Sequence, residues 1–251
     1  MLRDTWLVFA RALRQTLRNP AWVVVGLTQP VLYLALFGPL LERVAATPGF
    51  VGGNAWNTFV PALLVQQALF GSAFVGFGLI SDYRSGLVER LRVTPASRAA
   101  LLLGRTLRDV LVLLVQCVVL LVVGTAFGLR PSPGAVLAGL LLVALLGGAI
   151  TCTSYALALR VKTEDVFAPM LNTLILPLFL LSGVLLPMSL APTWLRVVSD
   201  VNPLKHVVEA ERSVFLDDYF SGKVLVGLAV ALVLLVLGAT WGTRTFRREN
   251  A

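Results

Sequence analysis

Residues 135–159 read AVLAGLLLVALLGGAITCTSYALAL, without one Asp, Glu, Lys, Arg or His. As a helix this run is long enough to cross a hydrocarbon core of about 30 Å, which takes roughly 20 apolar residues. It lacks the period-two alternation of a membrane β-barrel strand. Five more runs share its character, at 21–41, 56–80, 110–127, 166–186 and 224–242, and none contains a charged residue or His. The sequence therefore predicts an all-α integral membrane domain filling residues 1–251, with six transmembrane helices. The first run begins too late, with the wrong flanks, for a cleaved signal peptide.

Composition agrees. Of the 251 residues 57% are hydrophobic and 14% charged, and the mean hydropathy is +0.86. A soluble domain carries about 25% charged residues, so this chain falls short of a water-facing surface. Cys117 and Cys152 both lie inside apolar runs and read as small buried hydrophobes. The formal charge of +8 suits a nucleic-acid binder or cytoplasmic loops. The basic residues sit between and before the apolar runs without aromatic interleaving, so nucleic acid is excluded as a partner and the bilayer takes its place.

Basic residues also set orientation. Arg3, Arg11, Arg14, Arg18, Arg84, Arg90, Arg92, Arg98, Arg105, Arg108, Arg160, Lys162, Arg244, Arg247 and Arg248 fall on one side of a six-span layout. Arg43, Arg130, Arg196, Lys205, Arg212 and Lys223 fall on the other. The bias predicts both termini in the cytoplasm.

Segments outside the spans carry patterns of their own. At 100° per residue, Leu2, Trp6, Phe9, Leu13 and Leu17 share one arc of residues 1–20, with Arg3, Arg11, Arg14 and Arg18 opposite. That pattern predicts an interfacial helix, its ring and leucines down and its arginines toward lipid phosphate. Within the extracytoplasmic segment 187–223, Pro192, Trp194, Leu195, Val197 and Val198 are too apolar for a solvated loop and their stretch is too short to span. Short interfacial or re-entrant helices before the last span fit it, with Trp194 at the headgroup level.

Several chemistries are excluded by what is missing. A phosphate-binding loop needs Gly-Lys-Ser/Thr at its end, and none of Lys162, Lys205 and Lys223 stands in that context. The single His, His206, lies outside the spans, and the spans hold no acid, so intramembrane serine, metallo- and aspartyl hydrolysis all lack their residues. No catalytic residue and no metal ligand set is expected. Proton or sodium coupling usually leaves an acid or His in the bilayer, and none is there.

Uncharged polar side chains remain inside: Gln29, Gln66, Gln67, Gln116, Thr151, Thr153, Ser154, Asn172 and Ser182. They read either as interhelical hydrogen-bonding groups or as the lining of a pathway. For the second role the candidates are Gln66 and Gln67 with Phe70, Phe74 and Phe77 following, together with Asn172.

The connection 81–109 is more specific. Around Gly86-Leu87-Val88-Glu89-Arg90-Leu91-Arg92-Val93-Thr94-Pro95 it suits a short cytoplasmic helix stopped before proline. Topogenic charge explains its arginines but not the pattern Gly-x-x-Glu-Arg-Leu-x-x-x-Pro. That stretch resembles the cytoplasmic segment of type-2 ABC exporter permeases, the daunorubicin-resistance type above all. Two more places fit the resemblance: the basic amphipathic N-terminus ending in Arg18-Asn19-Pro20, and the outer segment from Leu186-Pro187 through Pro192-Thr193-Trp194-Leu195 to Asn202-Pro203-Leu204 and Arg212. It covers essentially the whole chain.

The resemblance implies a half-transporter. A second permease, identical or paralogous, would complete the pathway, and two copies of a separate ABC ATPase subunit would bind the ATP and Mg that this chain does not. Gly86, Leu87, Glu89, Arg90, Leu91, Arg92, Thr94 and Pro95 would form the coupling element, with Glu164 and Asp165 a smaller second contact. The implied place is a bacterial plasma membrane and the implied cargo a drug, lipid or glycan. Two other classes stay open on the residues alone: a self-standing ion-coupled carrier or channel, and a non-transport assembly subunit.

Overall fold

A computed structural model describes residues 2–18, 21–45, 55–86, 98–185, 188 and 191–248. Among these the chain is helical without a strand. In order the helices are α1 (Leu2–Arg18), α2 (Ala21–Ala45), α3 (Ala55–Ala73), α4 (Val75–Arg84), α5 (Arg98–Ala126), α6 (Pro133–Val161), α7 (Glu164–Leu180), α8 (Thr193–Asp200), α9 (Pro203–Val214) and α10 (Gly222–Arg248). Four runs are long and apolar enough to cross a membrane: Trp56–Arg84 over α3 and α4, Ala99–Ala126, Pro133–Val161 and Gly222–Phe246. Arg3–Arg18 and Val23–Gly38 form a bent pair that makes a fifth when counted as one span. The 17 residues of α7 reach only about 25 Å.

Helix α6 is the central post, with α10, α3, α5 and α4 packed around it. Its ends follow from local chemistry. Pro133 takes the first turn, where no amide partner is needed, and the Ser132 hydroxyl accepts from the Ala135 amide at 3.1 Å. Midway, α6 stitches a break in its neighbour. The Ser154 hydroxyl donates to the Ala73 carbonyl at 2.5 Å and accepts from the Gly76 amide at 3.1 Å, which satisfies the backbone where α3 gives way to α4. Ser154 is thus an interhelical hydrogen-bonding residue.

Small residues let α10 approach α6. A Cβ on Gly238 would lie 2.6 Å from the Ala149 carbonyl oxygen. Gly238→Ala is therefore expected to push the two helices apart and cost about 1–3 kcal/mol, read as a lowered unfolding temperature in detergent. Gly78→Ala, with nothing near its added methyl, serves as the control. Equal temperatures for the two variants would refute close packing at this seam.

Candidate functional site

At one end of the bundle, charged and polar side chains from α1, α4, α5, α6 and α7 come together. The α4 helix stops at Gly86, which takes a left-handed φ of +70° and donates its amide to the Tyr83 carbonyl at 3.1 Å. This is the glycine that opens the Gly-x-x-Glu-Arg-Leu pattern. Leu87, Glu89, Arg90, Leu91, Arg92, Thr94 and Pro95 lie outside the described residues. Both flanks of that segment are described, and both are tied down.

On the leading flank, Asp82 of α4 pairs with Arg105 of α5 at 2.7 Å. The next two residues reach toward α7: the Tyr83 ring lies 5.6 Å from the Lys162 ammonium, and Arg84 is 3.9 Å from Glu164. Glu164 and Asp165 open the first turn of α7, where the helix N-terminus favours acids. On the returning flank, Arg108 pairs with its neighbour Asp109 at 2.9 Å and donates to the Thr16 hydroxyl of α1 at 3.1 Å. Tyr155 of α6 donates to Asp109 at 2.5 Å. The exposed Arg84–Glu164 contact contributes little to stability. The buried Asp109 group is costly to break, because each removed partner strands another polar atom.

Helix α1 rests on this frame along one flank. Thr5 and Val8 approach so closely that a Cβ on Gly104 would sit 2.8 Å from either. In its predicted lipid stripe Trp6 and Leu17 are exposed, Phe9 and Leu13 are half-buried, and the Phe9 ring is tilted against Trp6 at 5.4 Å. Arg11, Arg14 and Arg18 are exposed as well.

The pathway candidates divide by surroundings. Gln67 is buried and donates to Gln116 of α5 at 2.9 Å; Gln116 in turn donates to the Val23 carbonyl of α2 at 3.0 Å. Gln67 thus ties three helices together. Gln66 is buried with its carbonyl oxygen unpartnered. Phe70, Phe74 and Phe77 climb the face of α3 and α4 opposite α7, with Phe179 set edge-on to Phe70 at 5.2 Å and Phe167 edge-on to Phe77 at 5.0 Å. Phe74 is 38% exposed at the centre of this ladder. Asn172 is exposed on α7. The structure brings the phenylalanines together and leaves Asn172 and the glutamines in separate surroundings.

The opposite end is built by α8 and α9. Trp194 is 68% exposed, and Val197, Val198 and, just past the end of α8, Val201 continue the same bare apolar stripe. Arg212 of α9 donates to the Thr58 carbonyl at 3.0 Å and to those of Gly183 and Val184 at 2.8 and 3.3 Å. Its neighbour Glu211 points the other way. It is fully buried against Gly139 and Phe215, and neither carboxylate oxygen has a partner. Burial pushes this carboxyl up to about 8.

Asp109, Tyr155 and Glu211 were not among the residues the sequence singled out, although helical spacing carries the signal. Asp109 falls in register with buried Leu102, Leu113 and Cys117, and Glu211 with Leu204, Val207, Val208 and Phe215.

A family model described as "ABC-2 type transporter" matches residues 3–216. The chain is 28% identical to "Putative transport permease ycf38" of Cyanophora paradoxa, over 85% of this chain and 74% of that one. It is 23% identical to "Daunorubicin resistance ABC transporter permease protein DrrB1" of Streptomyces coeruleorubidus, over 96% and 85%. It is also 26% identical to "Probable doxorubicin resistance ABC transporter permease protein DrrC" of Mycobacterium tuberculosis, over 83% and 75%. With its apolar helices, its charge-tied frame and a family match over most of its length, the chain belongs to the ABC-2 type transporter family of membrane permeases.

Proposed function

We propose that this chain is one half of the membrane core of an ATP-driven exporter in a bacterial plasma membrane, crossing it six times with both termini in the cytoplasm. A second permease copy or paralogue completes the pathway, and two copies of a separate ABC ATPase bind and hydrolyse ATP with Mg. The cargo is a hydrophobic or amphipathic drug, lipid or glycan-type molecule.

The observation that carries this reading is the frame around residues 87–97. A segment bearing Glu89, Arg90 and Arg92 leaves α4 and returns as α5. Both helices are ion-paired to each other and, through Arg84 and Glu164, to α7. A push on the segment is thereby shared by α4, α5 and α7 instead of bending one loop. Closure of the ATPases on bound ATP would supply that push. The phenylalanine ladder between α3, α4 and α7 lies along the driven helices, and an aromatic, uncharged seam suits apolar cargo. Gln66, buried with an unpartnered oxygen, and Asn172, exposed on α7, are the polar candidates for the pathway, set apart from the ladder.

Glu89→Arg is the test. It is expected to weaken ATPase co-purification at least about tenfold, on the scale of one lost charge-assisted contact, and to abolish export while membrane insertion stays normal. Unchanged ATPase association and export would sink the assignment.

A further inference from the structure

We propose that the groove between α6 and α10 binds an anionic phospholipid, its phosphate held by Arg160 and Arg244 and an acyl chain laid along Leu234 and Leu237. The open groove, about 380 Å³ in volume, is lined by Thr153 of α6 and by Leu234, Leu237, Gly238, Thr240, Trp241 and Arg244 of α10. Arg160, in the last turn of α6, lies over the Trp241 ring at 5.3 Å from its centre. Arg244 follows Trp241 by three positions, on the same side of α10. Two cations from two helices, Arg160 on the ring and Arg244 one turn on, therefore stand at the Trp241 end of the groove.

Four observations select the occupant. No carboxylate among the described residues pairs with Arg160 or Arg244, so the pair has an uncompensated charge. The hydroxyls that line the groove are spent on their own helices, Thr153 donating to Ala149 and Thr240 to Leu237, both at 2.9 Å. Recognition thus falls to the guanidinium forks and to the Trp241 N–H, which donates to no group among the described residues. Guanidinium forks match phosphate oxygens. Finally, the groove opens beside exposed Val233, Val236 and Leu237, a wall for an acyl chain. A zwitterionic headgroup would bring an ammonium toward two uncompensated arginines; an anionic one neutralises them. The assignment to the cytoplasmic leaflet, whose anionic lipids draw basic groups, rests on the orientation proposed above.

The test titrates the purified full-length chain in detergent with phosphatidylglycerol or phosphatidylcholine and counts bound lipid by native mass spectrometry. Phosphatidylglycerol should bind at least about tenfold tighter, on the scale of charge-assisted contacts. The double variant Arg160→Gln with Arg244→Gln should remove that preference without changing phosphatidylcholine binding. Trp241→Phe, which keeps the ring and loses the N–H, should weaken it less. Arg130→Gln with Lys223→Gln removes equal charge at the other ends of α6 and α10, where both side chains are exposed, and should leave it intact. Equal binding of the two lipids, an unaffected double variant, or an equal loss in this charge control would overturn the proposal. So would cross-linking of two copies through Leu237→Cys, because that face would then belong to an interface. Orientation is read separately, by thiol labelling of Ala251→Cys in sealed vesicles. An external C-terminus would refute the topology while leaving the lipid result in detergent standing.

Discussion

Arg212→Met should loosen the outer end of the bundle at a cost of about 2–4 kcal/mol, the scale of two or more charge-assisted hydrogen bonds lost together. The guanidinium serves the Thr58 carbonyl in α3 and the Gly183 and Val184 carbonyls in the turn after α7. One side chain thus holds α9, α3 and the end of α7. Methionine fills much of the same volume without a donor, so the three carbonyls are left to find water at a site that α9 covers. Arg212→Lys keeps the charge but not the fork and is expected to fall between methionine and wild type. Thermal unfolding in detergent gives the size of the effect, and limited proteolysis within 187–223 gives its location. A methionine variant within about 1 kcal/mol of wild type, with unchanged cleavage, would show that the outer segment is held by apolar packing alone.

The long apolar runs were legible because burial in lipid imposes a simple rule: enough apolar residues in a row, with every backbone group bonded inside the helix. The expected run 135–159 appears as Pro133–Val161, and 224–242 as Gly222–Arg248. At the start of α5, paired polar groups carry the helix past the charge-free limit. The charge-free rule starts a span at 110, yet α5 begins at Arg98. Arg105 is answered by Asp82, and Arg108 and Asp109 by each other and Tyr155. These pairs close only in three dimensions, so a scan for single charges stops too soon. The run 56–80 contains a break at Phe74 and continues to Arg84. The reason is the hydroxyl of Ser154, some eighty positions away. The run 166–186 is cut to Leu180 by a turn through Gly183, whose φ is +78°.

The candidate site was legible in composition more than in arrangement. Gly86 ends α4 just ahead of residues 87–97, and Glu164 and Asp165 open α7, which Arg84 reaches. The phenylalanine spacing found a ladder, since positions three and four apart share a helix face. It did not reveal the partners on α7, Phe167 and Phe179, because contact between helices far apart in the chain leaves no periodic trace. Gln66 and Gln67 are adjacent in sequence and therefore point in different directions on α3. Only Gln67 meets Gln116.

The pH response of the outer segment should be set by one carboxyl. Glu211 is packed beneath Gly139 and Phe215, and no basic side chain among the described residues faces it from α3, α6 or α10. Its neighbour Arg212 is turned toward carbonyls on the far side of α9. Burial alone raises the carboxyl, to about 8 from an ordinary 4.5. Between those values the docked helix keeps a proton that an undocked one has released. Stability is therefore greatest below the ordinary value, falls by about 1.4 kcal/mol per pH unit across the window, and levels off above the raised value. Glu211→Gln resembles the protonated acid in shape and has no proton to lose. It should match wild type near pH 5, show a flatter profile, and exceed wild type by several kcal/mol at pH 9. Unfolding temperatures of both proteins in detergent across that range decide the matter. Parallel profiles would mean that Glu211 is ionised in the docked helix and has a partner there, such as an ordered cation. A slope present only in wild type would assign the outer segment's alkaline weakness to this single buried acid.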